Sequence, residues 1–565
     1  MKFSSFPLGV ACLAAVMSQA AGQTLPLDYT VQLQVRAATG GTAFNLPNFS
    51  TFNSVSPAIN DAGKVAVKVT TVGLTTSPGL WFGGHGTGAL VYNANDNDAL
   101  MSDPFINNNN QVSFPRFASA SANDDGLYVY NHSTMATTRV TNGPLGATSY
   151  ANPQINDSGI VGMRVKFNLP QALFTYNIAA NSFTNYVTET SGDPQSRYSF
   201  LYAPAFNNNN RIAAEANITG QPTSFKELRI WNADGSSTLI AQGDSSTGPV
   251  YFGFDNSISM NNNNRVAFIT RTGAAASNRR IAVSDGTSTT LFPTVSAGAG
   301  FTSIDSFAPS VNDNGLVAFR GNDATGADSV FVSDGTTVQR IAGVNDVLET
   351  DIGPRQVGFL MGNPRINNRG AVAFGLQFSA GSGGGNAIYA AYPRLLPTTA
   401  GSRKMHGGAG AFDIALPLTG TAGVECRRGG GASSDAHQLV MTFPVPVTFT
   451  GATVTSGSGA VASAKTNGNQ LIVNLAGVAN AQTTTVMLAN VSDGSTTNDV
   501  VIPVSFLLGD TNGDRAVNSG DALQTRARSG QVLDSTNFRS DVNVDGALNT
   551  GDATIVRNQA GAFLP

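Results

Sequence analysis

Cysteine is nearly absent from this chain: Cys12 and Cys426 are its whole complement. Cys12 falls in an apolar stretch, Phe6 to Met17, that follows Met1-Lys2-Phe3 and precedes Ser18-Gln19-Ala20. One positive charge, a short apolar core and small residues in that order predict a secretory signal peptide over residues 1–22. The stretch is too short to span a bilayer, and Gly9-Val10-Ala11 before Cys12 makes a poor lipoprotein box. Cleavage leaves Cys426 alone, so no intramolecular disulfide is available and stability must come from burial and bound ions. No later segment approaches about eighteen uninterrupted apolar residues, so nothing else argues for a membrane span. Charge is also scarce: 12% of residues are charged, and a net charge of −4 gives no electrostatic reason to expect a nucleic-acid partner. The histidines, His85, His132, His406 and His437, are too scattered for a zinc site, and each is read as a surface or satisfied core group.

What is abundant is glycine, 62 residues of it, with Thr, Ser, Asn and Val. That composition points to short strands and tight turns, and the length to about three or four domains. One phrase recurs from residue 57 to residue 374. Pro57-Ala-Ile-Asn-Asp-Ala-Gly-Lys-Val-Ala-Val, Pro104-Phe-Ile-Asn-Asn-Asn-Asn-Gln-Val-Ser-Phe and Pro309-Ser-Val-Asn-Asp-Asn-Gly-Leu-Val-Ala-Phe are three of its copies. The anchoring asparagines are Asn60, Asn107, Asn156, Asn207, Asn261, Asn312 and Asn367, spaced 47 to 55 residues apart.

Each copy reads as a strand end, a tight reversal and a buried strand. Asn-x-x-Gly or Asn-Asn-Asn-Asn supplies residues that tolerate positive φ, and an Asn side chain can satisfy the turn backbone. The Val-Ala-Phe phrase suits a strand packed on both faces. About four short strands per unit of roughly 50 residues is the period of a β-propeller blade. The seventh repeat stops near Pro393 after two strands, while Val31-Gln-Leu-Gln-Val and Phe44 to Val55 stand unclaimed before the first. If those N-terminal strands complete the last blade, a seven-bladed β-propeller closes over residues 23–393, with an open β-solenoid as the alternative. The block resembles secreted bacterial proteins with tandem Asn-x-x-Gly-x-x-Ala-Phe repeats, a resemblance that implies a fold and no activity. The second, fourth and fifth copies carry Asn in place of the Gly.

From Leu395 the repeat disappears. Segments His437 to Phe443, Thr448 to Val454, Gln470 to Leu475, Thr484 to Leu488 and Val500 to Phe506 have strand length, and Thr466-Asn-Gly-Asn is a hairpin signal. They predict an immunoglobulin-like β-sandwich over residues 394–508. Ser402-Arg-Lys-Met-His-Gly, Phe412-Asp-Ile-Ala-Leu-Pro-Leu and Glu425-Cys-Arg resemble the module that often precedes a dockerin-like pair. Cys426 with His406 invites a Cys-His nucleophile reading, but nothing in their spacing places them together, and a lone buried Cys is more often a small core residue.

The sharpest chemistry lies in residues 509–565. Asp510-Thr-Asn512-Gly-Asp514-Arg515-Ala516-Val517-Asn518-Ser-Gly-Asp521 is echoed by Asp541-Val-Asn543-Val-Asp545-Gly546-Ala547-Leu548-Asn549-Thr-Gly-Asp552. Both loops place oxygen side chains at positions 1, 3, 5, 9 and 12, the spacing an EF-hand uses to surround a hard cation, with the position-7 carbonyl as a further ligand. Val517 and Leu548 at position 8 are expected to pack the loops together. Asp at position 12, a single short exit helix per loop and near-duplication resemble a type I dockerin, that is, a small α-helical calcium-binding module. The resemblance implies two Ca²⁺ sites. The first is Asp510, Asn512, Asp514, Asp521 and the carbonyl of Ala516, with Asn518 acting through water. The second is Asp541, Asn543, Asp545, Asp552 and the carbonyl of Ala547, with Asn549 in the equivalent place. Arg515 departs from the pattern at position 6, where glycine is favoured, and should strain the first site by about 1 kcal/mol or more. The second loop is therefore expected to bind more tightly. Six aspartates in a module with little core should make its folding depend on the cation. Ser519-Gly520 and Thr550-Gly551, at the positions that dockerins use toward cohesins, lack a side chain often used there.

These features predict a mainly β, secreted, extracellular or cell-surface binding protein. Its propeller recognises a glycan or protein ligand through the variable connections Asn93 to Asp98, Ser191 to Ser196 and Gly243 to Gly248, and its calcium-dependent module docks to a cohesin-like or other cell-surface protein. The rivals are a dockerin-bearing polysaccharide-degrading enzyme and a purely structural surface protein. Glycoside hydrolysis needs two carboxylates about 5 to 9.5 Å apart. The candidates Asp255, Asp305 and Glu215 are read as turn or rim residues, and no catalytic residue is assigned.

Overall fold

The strand that follows each asparagine turn is mostly buried, and its small residue lets neighbouring sheets approach. Ile212–Ile218 is buried along its whole length, and Ala66, Ala213, Ala267, Ala318 and Ala373 are fully enclosed in their strands. The computed structural model describes residues 28–37, 43–52, 55–72, 76–117, 124–141, 143–144, 146–244, 251–273, 279–292, 300–428, 436–493 and 496–564. The predicted signal peptide and most of the Gly243 to Gly248 connection lie outside them. Residues 31–392 form one compact unit, and residues 28–30 with 393–565 a second.

In the first unit the described residues form seven sheets of four or five strands. Ala58–Ile59, Val65–Val72, Thr76–Gly84 and Thr87–Asn93 make up the first, each strand beside its sequence neighbour. The last sheet runs Val347–Leu348, Arg355–Ile366, Val372–Phe378, Asn386–Pro393 and then takes Tyr29–Arg36 from the other end of the chain as its outer strand. A bidentate ion pair from Arg36 to Asp351 ties the same ends, with Nε–Oδ1 at 2.8 Å and Nη2–Oδ2 at 3.0 Å.

One N-terminal strand, not two, completes this sheet. Phe44, Asn45 and Phe49 take left-handed φ of 59°, 54° and 62°, which no extended strand accommodates. Residues Ala43–Asn45 form a 3₁₀ turn instead. Thr51 makes a single bridge to Thr70, and Asn386 holds the Phe52 backbone, donating to its carbonyl at 2.7 Å and accepting its N–H at 3.2 Å.

The anchoring asparagines are buried and form a closed circuit. Each side-chain amide donates to the backbone carbonyl of the next anchor, from Asn60 to Asn107 and on through Asn156, Asn207, Asn261, Asn312 and Asn367. Asn367 then donates to Asn60 at 2.7 Å. A second circuit runs through the following residues, Asp61, Asn108, Asp157, Asn208, Asn262, Asp313 and Asn368, each N–H donating to the next side-chain Oδ1. The third residue after each anchor has positive φ in all seven turns, and it is Gly63, Asn110, Gly159, Asn210, Asn264, Gly315 or Gly370. Asn replaces Gly there because it tolerates αL, and Asn110, Asn210 and Asn264 each accept a further bond from the preceding anchor.

In the second unit two sheets enclose one core. Ala411–Leu416, Thr399–Met405, His437–Thr442, Gln470–Ala476 and Ala460–Asn467 form one sheet, and Gly423–Glu425, Thr497–Phe506, Gln482–Ser492 and Gly451–Ser456 the other. Leu439, Met441, Leu471 and Val473 of the first meet Val486, Leu488, Val500 and Ile502 of the second. The hairpin at Asn467-Gly468-Asn469 forms where Thr466-Asn-Gly-Asn predicts it, with Gly468 at φ 61°. The C-terminal loops and helices α1 (Ser519–Arg528) and α2 (Thr550–Asn558) belong to this unit. Val517, Val542, Val556 and Leu564 share a cluster with Val424 and Leu507, so residues from outside the module extend the small core that its own sequence supplies.

Candidate functional site

Each calcium-type loop is built around its first and last carboxylates. Asp510 accepts the N–H groups of Gly513, Asp514 and Arg515 at 2.8, 3.1 and 3.0 Å. Asp521 accepts those of Asn512 and Asn518 at 3.1 and 3.0 Å. In the second loop Asp541 accepts from Asp545 and Gly546, and Asp552 from Asn543 and Asn549. All four of these aspartates are fully buried, whereas Asn512, Asp514, Asn518 and Asp545 are exposed.

One carboxylate oxygen from each of Asp510, Asp514 and Asp521 lies within 4.8 Å of the others, a donor set that fits a hard divalent cation. Among the described residues the matching trio Asp541, Asp545 and Asp552 does not converge as closely. Burial pushes the carboxyls of Asp510 and Asp552 above the ordinary range, and their neighbouring carboxylates add to this. The Asn512 amide, 2.9 Å away, holds Asp514 below it.

Asn518 and Asn549 have a further duty. Each caps its helix, the Oδ1 accepting from Gly520 or Gly551 at 2.7 or 2.6 Å while Asp521 or Asp552 completes the capping box. Their amides reach the carbonyls of Ala516 and Ala547 at 3.4 and 3.2 Å. A Cβ on Gly551 would stand 2.8 Å from Asn549 Oδ1, and one on Gly520 3.0 Å from Asn518 Oδ1. The cap therefore accounts for both glycines. Val517 and Leu548 are both buried.

Strain is not confined to the first loop. Arg515 has φ 75°, but Val544, at position 4 of the second loop, has φ 57° where the first loop has Gly513 at 81°. A β-branched residue is more out of place there than Arg, so strain supplies no reason for the second loop to bind more tightly. Aligning the two loops exposes this Gly-to-Val difference in the sequence.

Position 1 of the second loop also receives a partner from 135 residues away. His406 Nδ1 lies 2.8 Å from Asp541 Oδ2, both fully buried. Arg427 Nη1 is 2.9 Å from His406 Nε2. An arginine N–H can only donate, so Nε2 accepts and Nδ1 carries the proton given to Asp541. Arg427 is held in turn by Glu425, with bonds of 2.8 and 2.7 Å. Burial alone would raise the Glu425 carboxyl, but the charge and hydrogen bonds of Arg427 outweigh it and hold the pKa down to about 2. The chain Glu425, Arg427, His406, Asp541 orients a loop carboxylate from outside the loop.

This geometry also answers the Cys-His reading. Both ring nitrogens of His406 are engaged elsewhere, Cys426 Sγ faces the Arg539 carbonyl at 3.6 Å, and burial pushes the thiol up to about 11. The candidate carboxylates are likewise committed to cations of their own sheets. Asp255 pairs with Arg271 and Arg279 at 2.7 and 2.9 Å, Asp305 with Arg320 at 3.6 Å, and Glu215 with Lys226 at 3.2 Å. Glu215 and Asp255 sit within strands rather than turns.

Residues 508–559 match the type I dockerin domain, and residues 11–289 match a family of unknown function, DUF7453. No curated protein matches the chain. Similar solved structures include the β-propeller domain of the Trilobed protease from Pyrococcus furiosus, at 12% identity over 60% of this chain and 96% of that one, TM-score 0.40. An oligogalacturonate lyase from Vibrio parahaemolyticus is 13% identical over 66% of this chain and 98% of its own, TM-score 0.40. The acylaminoacyl peptidase of Pyrococcus horikoshii is 11% identical over 73% of this chain, which covers 59% of that one, TM-score 0.40. Calcium is the ion of dockerin domains, and the first-loop carboxylates suit it. No helix among the described residues is long and apolar enough to cross a membrane.

Proposed function

We propose that this chain is a secreted modular binding protein that docks to a cohesin-like partner through a two-site calcium dockerin over residues 509–565. Residues 1–22 are its signal peptide, residues 23–393 a seven-bladed β-propeller that recognises a glycan or protein ligand, and residues 394–508 an immunoglobulin-like sandwich. The observation that carries the reading is the duplicated loop within the matched dockerin domain, with Asp510, Asp514 and Asp521 converging on one point. Asp541, Asn543, Asp545, Asp552 and the Ala547 carbonyl are the second ligand set, and Asn512 with the Ala516 carbonyl completes the first. Asn518 and Asn549, whose Oδ1 atoms cap helices, serve the ion only through water. The closed asparagine circuit supports a propeller over an open solenoid, since a solenoid leaves its end repeats unjoined.

The test is capture of the full chain on a panel of immobilised type I cohesins. Capture in calcium that is lost with chelator, and lost in the Asp510→Asn/Asp541→Asn double variant, supports the docking reading. Capture that survives chelation overturns it. The same preparation should release no reducing sugar from a polysaccharide panel, and hydrolysis abolished by replacing one acidic residue would promote the enzyme reading.

A further inference from the structure

The seven repeats differ in chemistry at the residue two before each anchor: Ala58, Phe105, Gln154, Ala205, Ser259, Ser310 and Arg365. Six of these positions, together with the apolar residue before each anchor, line one pocket of about 210 Å³ to which all seven repeats contribute. The anchors are constant because the circuit needs them, so a variable layer beside them is where a ligand could be told apart.

Arg365 is the one charged side chain in that lining. Its guanidinium donates no hydrogen bond to a described residue and forms no ion pair. It stands 5.4 Å from the centre of the Phe105 ring. Burial pulls its pKa below the ordinary arginine value, opposed by the charge of Asp103, and an arginine so placed still keeps its proton. Asp103 does not reach it: its Oδ2 accepts the Ser56 N–H at 3.1 Å, and its Oδ1 is 3.8 Å from Lys68 Nζ. Arg365 is half-buried, and its N–H donors face the pocket without a protein acceptor, open to water or to a ligand that accepts from them.

The other polar groups of the lining are also donors in surplus. Ser259 Oγ accepts the Val311 N–H at 3.0 Å, and Ser310 Oγ accepts the Ile366 N–H at 3.2 Å, which leaves both hydroxyl protons to give. Gln154 is anchored, its amide donating to Pro204 O at 3.1 Å and its carbonyl accepting from Phe206 N at 2.9 Å. The remaining lining residues are apolar or aromatic, Phe105 and Phe206 among them, while most of the surface open to the pocket is polar. Surplus donors and one guanidinium fork beside the Phe105 ring describe a ligand with an anionic head that can lie against that ring.

We propose that this pocket binds a small organic carboxylate, its head on Arg365 with the hydroxyls of Ser259 and Ser310, and its apolar body against Phe105 and Phe206. The site is separate from the calcium loops and stands whether or not the docking reading does.

The probe is benzoate, titrated calorimetrically into the full chain, with the neutral isostere benzamide beside it. Saturable one-to-one binding of benzoate is expected, with benzamide giving no saturable heat. Arg365→Met should weaken benzoate about tenfold or more, the loss of a charge-assisted pair, while Arg365→Lys stays within a few-fold. Because Arg365 bonds to no described residue, Arg365→Met should melt no lower than the parent. If it fails to fold, the benzoate-to-benzamide ratio and the Lys variant decide alone. Equal binding of the two probes, benzoate binding untouched by Arg365→Met, or no saturable heat up to about 10 mM benzoate overturns the proposal.

Discussion

The side-chain amide of Asn367 donates to the backbone carbonyl of Asn60 at 2.7 Å, across 307 residues of sequence. The same Asn367 accepts the N–H groups of Arg369 and Ala371 at 3.1 and 2.8 Å, so one side chain satisfies its own turn and joins the last repeat to the first. Asn367→Ala leaves buried backbone donors unpaired and should cost about 2 to 4 kcal/mol. Asn368→Ala, one residue on and half-exposed, should cost under about 1 kcal/mol because water replaces its bonds. Urea midpoints at unchanged slope distinguish the two, and equal losses would contradict the buried circuit as the closing element.

Strain in the calcium loops predicts a symmetric pair of gains. Arg515→Gly and Val544→Gly each relieve a left-handed residue, and each should raise the calcium affinity of its own loop about five-fold, or roughly 1 kcal/mol. Titration of the full chain followed by NMR separates the sites. A gain for Arg515→Gly alone would restore the expectation that only the first loop is strained.

His406 is a positioning residue for the second loop. Removing it as His406→Ala frees Asp541 to turn and should weaken the second site about tenfold, the range found for outer-shell partners of metal ligands. The first site should keep its affinity. His406→Asn, which retains a donor at the place of Nδ1, should recover part of the loss.

Glu215 carries a pH signature. It is buried at 1% exposure, and burial raises its pKa to about 7 against the pull of Lys226. A carboxyl raised on folding binds more protons in the native state, so its contribution is intact below the unfolded value near 4.5 and is lost as pH rises through about 7. Wild-type stability should fall by roughly 2 to 3 kcal/mol from this group between pH 5 and 8, because each tenfold difference in proton affinity is worth about 1.4 kcal/mol. Glu215→Gln should flatten that slope, as melting temperatures at the two pH values will record.

Much of this molecule was legible in local spacing. The asparagine phrase announced seven turns because a reversal that needs positive φ admits few residues, and Asn110 substitutes for Gly63 under the same constraint. The twelve-residue loops announced themselves because a cation demands oxygens at set intervals. Both are properties of a few consecutive residues. The weak point was a segment such as Phe44 to Val55, which reads as a strand while the φ values of Phe44, Asn45 and Phe49 forbid one.

What the tertiary structure alone decided are meetings between distant residues. Nothing in spacing says that Arg36 pairs with Asp351, that His406 reaches Asp541, or that Arg365 is left beside Phe105 without an acceptor. A propensity acts within one turn or strand, whereas a pairing across hundreds of residues is chosen by which packed arrangement buries apolar surface and satisfies its polar groups together. The sequence by itself therefore determined the repeats, their turns and the spacing of the calcium loops. Packing decided what closes the circuit, what steadies the second loop and which charge is left facing the pocket.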